Sequence, residues 1–185
     1  MKGFTEKVAP DVVKDAQQGQ LLALKQLYQD SGTAVLRLVS GILGSVEEGR
    51  DLTQEIFIKA FGKLPELRQI DAFPSWLKQL SVRMAVDQLR KRVSFVHEAL
   101  EEVIESEPDW MQATDRLCQL DDIERVMCNL SEVERALVWL YVVEGYTHEE
   151  LAKMLECTEA AVRQRYRRAM VKLKSKLYRQ VKDEQ

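Results

Sequence analysis

Thr147-His-Glu-Glu-Leu-Ala-Lys-Met-Leu155, a short turn, then Glu159-Ala-Ala-Val-Arg-Gln-Arg-Tyr-Arg-Arg-Ala-Met-Val-Lys-Leu-Lys-Ser-Lys-Leu177: this stretch decides the fold. Thr147 and Glu150 stand at capping-box spacing, so each can satisfy a free amide of the other at a helix start. Thr158 can cap a second helix, and the small Ala152 lets two helices approach closely. Val162, Tyr166, Ala169, Leu173 and Leu177 form an apolar stripe along that second helix. The stripe leaves Arg163, Gln164, Arg167 and Arg168 on the other face, with Arg165 at its margin. From Thr158 to Lys182 there are nine Lys/Arg and one acid, Glu159, in a chain whose net charge is −3. Positive charge concentrated on the second helix of a helix-turn-helix is what a DNA-reading unit needs. Arg can fork onto guanine edges, and Arg and Lys both neutralise phosphates. Lys172, Lys174 and Lys176 lie further along and are expected to meet phosphate or solvent. His148 is expected to face solvent in the first turn of its helix.

The rest of the chain is consistent with an all-α fold. Gly (8) and Pro (4) are few among 185 residues, and the strong helix formers Leu, Ala, Glu, Gln, Lys and Arg dominate. No run approaches the ~18 apolar residues of a membrane span, and Met1–Pro10 has no apolar signal core. The expectation is a cytoplasmic protein without membrane insertion. Cys118, Cys128 and Cys157 form no C-x-x-C pair, so reduced, half-buried thiols are expected, with no metal and no cofactor. His97 and His148 sit in different zones, and no glycine-rich phosphate loop or nucleophile–base pairing is visible, so the chain is not expected to be an enzyme.

Charge divides the chain into a first domain (1–92), an acidic linker (93–116) around Pro108, and a second domain (117–185). The periodicity of the first domain predicts one helix over Asp11–Asp30 and a second over about Thr33–Leu43, stopped by Gly44. Ser45-Val-Glu-Glu48 is a capping box opening a third helix that ends before Pro65. Pro74 suits the first turn of the last, which finishes in Arg90-Lys91-Arg92. Ser131-Glu-Val-Glu134 opens a helix of the second domain that Gly145 ends. Phe57, Phe61, Phe73 and Trp76 are most simply core aromatics. Beside Arg68, Lys78, Arg83 and Arg90–Arg92 they also suit a platform for unstacked bases.

Two blocks carry a resemblance. Asp51-Leu-Thr-Gln-Glu-Ile-Phe-Ile-Lys-Ala-Phe61, with Phe73-Pro-Ser-Trp-Leu77 and Val86-Asp-Gln-Leu-Arg-Lys-Arg92, resembles region 2 of bacterial RNA polymerase sigma factors of the extracytoplasmic-function (ECF) group. Leu130–Leu177 resembles region 4. The resemblance implies a promoter-specificity subunit. Asp51, Gln54, Glu55 and Lys59 would lie on the helix facing the clamp helices of core RNA polymerase. Arg68, Phe73 and Trp76 would lie in or beside the loop that receives a flipped base of the −10 element, with Arg83 and Arg90 also near it. Arg163, Gln164, Arg165, Arg167 and Arg168 would meet the −35 element, while the rest of region 4 faces the polymerase flap. The acidic linker would thread toward the RNA exit channel, and an anti-sigma factor would hold the protein inactive.

The chain departs from the family pattern in three places. Arg83 replaces a usual Asn. Gly49-Arg50-Asp51 replaces Ala-Glu-Asp. Glu156 stands in the helix-turn-helix turn where many relatives of the motif have Gly, so the turn is expected to manage without a left-handed glycine. Without the resemblance two other readings stay open: an autonomous helix-turn-helix regulator whose residues 1–92 bind ligand or dimerise, and a helical adaptor that binds only protein.

Overall fold

The computed structural model of the chain describes residues 8–92, 127 and 130–183. Every regular element among them is helical. The chain divides into two compact units, Met1–Asp87 and Gln88–Gln185. The acidic linker expected at 93–116 lies outside the described residues, as do Cys118 and Cys128.

The first unit contains α1 (Pro10–Gln17), α2 (Leu21–Leu43) and α3 (Val46–Lys63). Tight 3-10 turns at Leu64–Glu66 and Ile70–Ala72 lead into α4 (Phe73–Arg92). The expected single helix over Asp11–Asp30 is in fact broken at Gly19, which takes a left-handed φ of 79°. The amides of Gln18 and Gly19 turn back onto carbonyls of α1 and close it there. No break occurs near Gly32, where the sequence suggested one. Leu27, Ser31, Val35, Leu38 and Ile42 make one unbroken buried stripe through that position. Burying it outweighs the ~1 kcal/mol that a mid-helix glycine costs. Gly44 ends α2 at φ 72°, its amide 2.7 Å from the Ser40 carbonyl. Ser45 then starts α3 by accepting from the Glu48 amide at 3.3 Å.

α2 packs along α3, and at Gly49 the two come too close for a side chain. A Cβ there would run into the Ser40 hydroxyl and stand 3.1 Å from Ser40 Cβ and 3.2 Å from Ser40 Cα. This accounts for glycine in the Gly49-Arg50-Asp51 departure. The Ser40 hydroxyl is itself buried without a hydrogen-bond partner.

In the second unit, α5 (Glu132–Val138) runs into a wider π turn at Trp139–Val143, then α6 (His148–Leu155) and α7 (Glu159–Asp183). Ser131 and Thr147 both form complete capping boxes, with Glu134 and Glu150. α7 packs on both α5 and α6. Its stripe is buried at Val162, Tyr166, Ala169, Met170 and Leu173; Leu177 lies where side chains are not described.

The turn between α6 and α7 manages without a left-handed glycine, because Glu156 itself adopts that conformation, at φ 52° and ψ 43°. The amides of Glu156 and Cys157 both close on the Ala152 carbonyl, the latter at 3.1 Å. Those closures hold a non-glycine residue in a region costing roughly 1–2 kcal/mol.

Two stability predictions follow from these approaches. Gly49→Ala is expected to destabilise the first unit by about 1–2 kcal/mol, overpacking exceeding the gain in helix propensity. Adding Ser40→Ala should recover part of the loss, whereas Ser40→Ala alone should cost nothing, since it removes an unpartnered hydroxyl. A Gly49→Ala chain that melts with the wild type would refute the close approach. At the turn, Glu156→Gly should be more stable than Glu156→Ala by about 1 kcal/mol in denaturant titration; equal stabilities would mean the left-handed turn is not the one the protein uses.

Candidate nucleic-acid interface

On α3 one face is buried through Leu52, Thr53, Ile56, Phe57 and Ala60. The opposite face carries Asp51, Gln54, Glu55 and Lys59, all exposed and one to two turns apart. The fold therefore brings the four expected polymerase-facing residues together. Among them lies Ile58, 75% exposed, which the sequence reading passed over. Its signal is the helical period itself: position 58 falls among the polar residues of an otherwise amphipathic helix.

The loop from Leu67 to Ala72 exposes Arg68, and α4 follows at once. Phe73 is fully buried, whereas Trp76 is half-buried with its ring 6.1 Å from that of Phe73. In this packing Phe73 is a core residue beneath Trp76, and Trp76 is the ring with an outward face. Phe57 is likewise core, in ring contact with Tyr28 at 4.8 Å and Phe61 at 5.5 Å. Arg83 is exposed and Arg90 half-buried. Successive steps of seven residues place Trp76, Arg83 and Arg90 in one stripe along α4, about 10 Å apart.

On α7 the buried stripe turns Arg163 and Arg167 fully outward and leaves Gln164, Arg165 and Arg168 half-buried beside them. Thr158 caps the helix, accepting from the Ala161 amide at 3.2 Å. Arg163 is held by Glu159 one turn earlier, with Nε at 2.9 Å and Nη2 at 2.5 Å from one carboxylate oxygen. Glu159 thus belongs to the site although the sequence reading counted it only as the odd acid; its i, i+4 spacing to Arg163 was the available sign.

Lys172 is a correction. It reaches the Glu134 carboxylate on α5, at 2.6 and 2.8 Å, so its ammonium braces the second unit. Burial raises the Glu134 pKa, but its bonds with Lys172 and Ser131 outweigh that and hold it below the usual carboxylate value. Lys172 is thereby drawn from the basic face onto α5.

His148 is a second correction. Its ring is stacked on Tyr141 at 4.4 Å and meets Tyr166 edge-on at 5.3 Å, and its Nε2 is buried without a hydrogen-bond partner. A shallow cleft of about 540 Å³ opens beside it, with Thr147, Glu159 and Arg163 among its walls. Burial and the nearby Arg163 charge lower the His148 pKa, against a smaller opposing effect of Glu159. Cys157 is half-buried, and burial pushes its thiol pKa up despite Arg165, which keeps it a poor nucleophile.

Residues 27–94 match the family model for Sigma-70 region 2, and residues 120–173 match that for Sigma-70 region 4. The ECF RNA polymerase sigma-E factor of Escherichia coli K12 is 30% identical over 187 residues, covering 94% of this chain and 95% of its own length. The chain belongs to the ECF group of bacterial RNA polymerase sigma factors. The RNA polymerase sigma-H factor of Pseudomonas aeruginosa is 25% identical over 179 residues, 90% of this chain and 92% of its own. Among solved structures, CnrH in complex with the cytosolic domain of CnrY is 21% identical and covers 91% of this chain and 96% of its own, at a TM-score of 0.49.

As a sigma factor, the protein is a promoter-specificity subunit that binds core RNA polymerase and promoter DNA, and the catalysis is the polymerase's. Family membership decides against the autonomous regulator and the adaptor. No helix among the described residues is long and apolar enough to cross a membrane.

The lowered His148 pKa has a measurable sign. A histidine that resists protonation when folded contributes stability fully present above its unfolded value of about 6.5 and lost as pH falls through the lowered folded value. The second unit of this sigma factor should lose stability over that acid range. His148→Phe, which keeps an aromatic ring in the stack, should remove that part of the pH dependence; an unchanged slope would refute it.

Proposed function

We propose that this sigma factor engages the polymerase and promoter through three separate faces. The exposed face of α3, with Asp51, Gln54, Glu55 and Lys59 around Ile58, docks on the clamp helices of the largest polymerase subunit. The Leu67–Ala72 loop, with Arg68, and the α4 stripe of Trp76, Arg83 and Arg90 receive the non-template strand of the −10 element. Phe73 acts there only from beneath, as the floor on which Trp76 rests. Extruding a base costs a few kcal/mol of stacking; an aromatic face flanked by cations offsets it, which turns binding into melting. Arg83, a cation where the family usually has Asn, contributes phosphate affinity and cannot accept a hydrogen bond from a base.

Arg163, Gln164, Arg165, Arg167 and Arg168 on α7 meet the −35 element, while the rest of the second unit faces the flap. The observation that carries this reading is the outward Arg face at the start of α7, directly after the capped turn, where helix-turn-helix proteins contact base edges. The acidic linker passes toward the RNA exit channel, among basic walls. The site of action is the cytoplasm, where the core enzyme works. We extend the reading to an anti-sigma factor as the controlling partner, since ECF sigma factors are commonly regulated in that way.

Runoff transcription with purified core polymerase tests the whole reading: without a promoter used by this pair, it fails. Arg163→Ala with Arg168→Ala should lower initiation at −35-dependent promoters by about tenfold or more, at ~1–3 kcal/mol per base-reading Arg, with core binding retained. Ile58→Glu should do the reverse, weakening core binding. Loss of core binding in the Arg variant would overturn the division of labour.

A further inference from the structure

Gln17, the last residue of α1, stands 47 residues before Leu64 in sequence and donates across that distance. Its side-chain amide nitrogen lies 3.0 Å from the Leu64 carbonyl oxygen and 2.8 Å from that of Leu67. A glutamine amide has two N–H donors, and the two bonds use both. The carbonyls they reach belong to the residues that follow the ends of α3 and of the 3-10 turn after it, where backbone groups must find partners outside the helix. Leu64 is fully buried, and its carbonyl also accepts the Leu67 amide at 3.0 Å. Pro65, between them, has no N–H to offer. The chain then leaves the turn extended at Leu67, and the next residue is Arg68.

The same segment is tied at its far end by local bonds: the Ala72 amide to the Gln69 carbonyl at 3.0 Å, and the Ser75 hydroxyl to the Ala72 carbonyl at 2.9 Å. α1 packs against both 3-10 turns that bound the loop. The near end of the loop is therefore held by a side chain from another helix as well as by the Leu67 amide on the Leu64 carbonyl. We propose that Gln17 is a positioning residue for base capture at the −10 element: by bridging Leu64 and Leu67 it sets the point and direction from which the Arg68 segment departs. This rests on the assignment of the Leu67–Ala72 loop to the −10 element. Gln17 touches no DNA; it acts through the loop.

A residue that merely fastened α1 to the unit would, when lost, weaken all DNA binding alike. A positioning residue changes how well the loop tells one base from another. The test uses holoenzyme assembled from the full chain and core polymerase. The probe is a fork-junction promoter carrying either the preferred non-template base or an abasic site at the captured −10 position. The wild type should favour the intact base. Gln17→Met, which keeps the length and removes both donors, should cut that preference about fivefold or more, as the loss of even one net hydrogen bond predicts. Core affinity and binding to a −35-only duplex should stay within about twofold of the wild type, since the faces proposed for them lie elsewhere.

Gln17→Lys retains donors on a long stem and should keep more of the preference. Gln17→Glu places acceptors against two carbonyls and should keep least. If Gln17→Met fails to assemble, the Lys and Glu variants alone decide, and equal preference in those two overturns the proposal. It is also overturned if Gln17→Met leaves the preference intact while Arg68→Ala lowers it. If the wild type shows no preference for the intact base, the −10 assignment of the loop itself has failed and the proposal falls with it.

Discussion

The contact on which the first unit depends is the approach of α3 to α2 at Gly49. Interiors are packed at near-crystalline density, so a single absent Cβ sets how closely two helices lie. Here the absence lets the backbone of α3 settle against Ser40. With Leu52, Ile56, Phe57 and Ala60 buried by that packing, the helix has only one direction left for Asp51, Gln54, Glu55, Ile58 and Lys59. A surface for another protein is thus produced by the way a core is closed. The loop beyond α3 inherits its position from the same packing, because α1, which packs on α2, delivers Gln17 to the carbonyls where α3 ends.

The second unit uses the same economy of helix ends. Ser131, Thr147 and Thr158 each satisfy an amide at a helix start, and a non-glycine residue in left-handed geometry turns α6 into α7. Glu134 serves both its own capping box and Lys172 of α7, so the cap of one helix fastens another. The stacked rings of Tyr141, His148 and Tyr166 adjoin the cleft that the Glu159–Arg163 pair also lines at the start of α7. The start of α7 therefore stands beside a ring cluster in which burial and the Arg163 charge disfavour protonation of His148.

Much of this was legible in the chain. Caps and breakers act over three or four residues, so Gly44, Ser45, Pro65, Ser131, Thr147 and Thr158 mark the helix ends they later form. The apolar stripe of α7 and the Arg residues opposite it follow from a period of 3.6 residues, and the order of the two blocks is a property of sequence alone. The helix over Asp11–Asp30 was misread because Gly19 and Gly32 look alike in sequence. Which one breaks the helix depends on the buried stripe through Ser31 and Val35, and that stripe exists only once α3 is packed against it.

The same limit applies to the site. Sequence by itself determined the all-helical class and the Arg face of α7, because local propensity and periodicity need no partner; the two matched regions and the polar residues of the α3 face were legible only through the family resemblance. Tertiary structure alone decided which of those residues are available. It withdrew Phe73 into the core, drew Lys172 onto Glu134, placed His148 between two tyrosines, and brought Gln17 to a turn 47 residues away. Each of these depends on a contact between elements. A side chain's burial, its pKa and its hydrogen-bond partners are set by whatever the fold places against it.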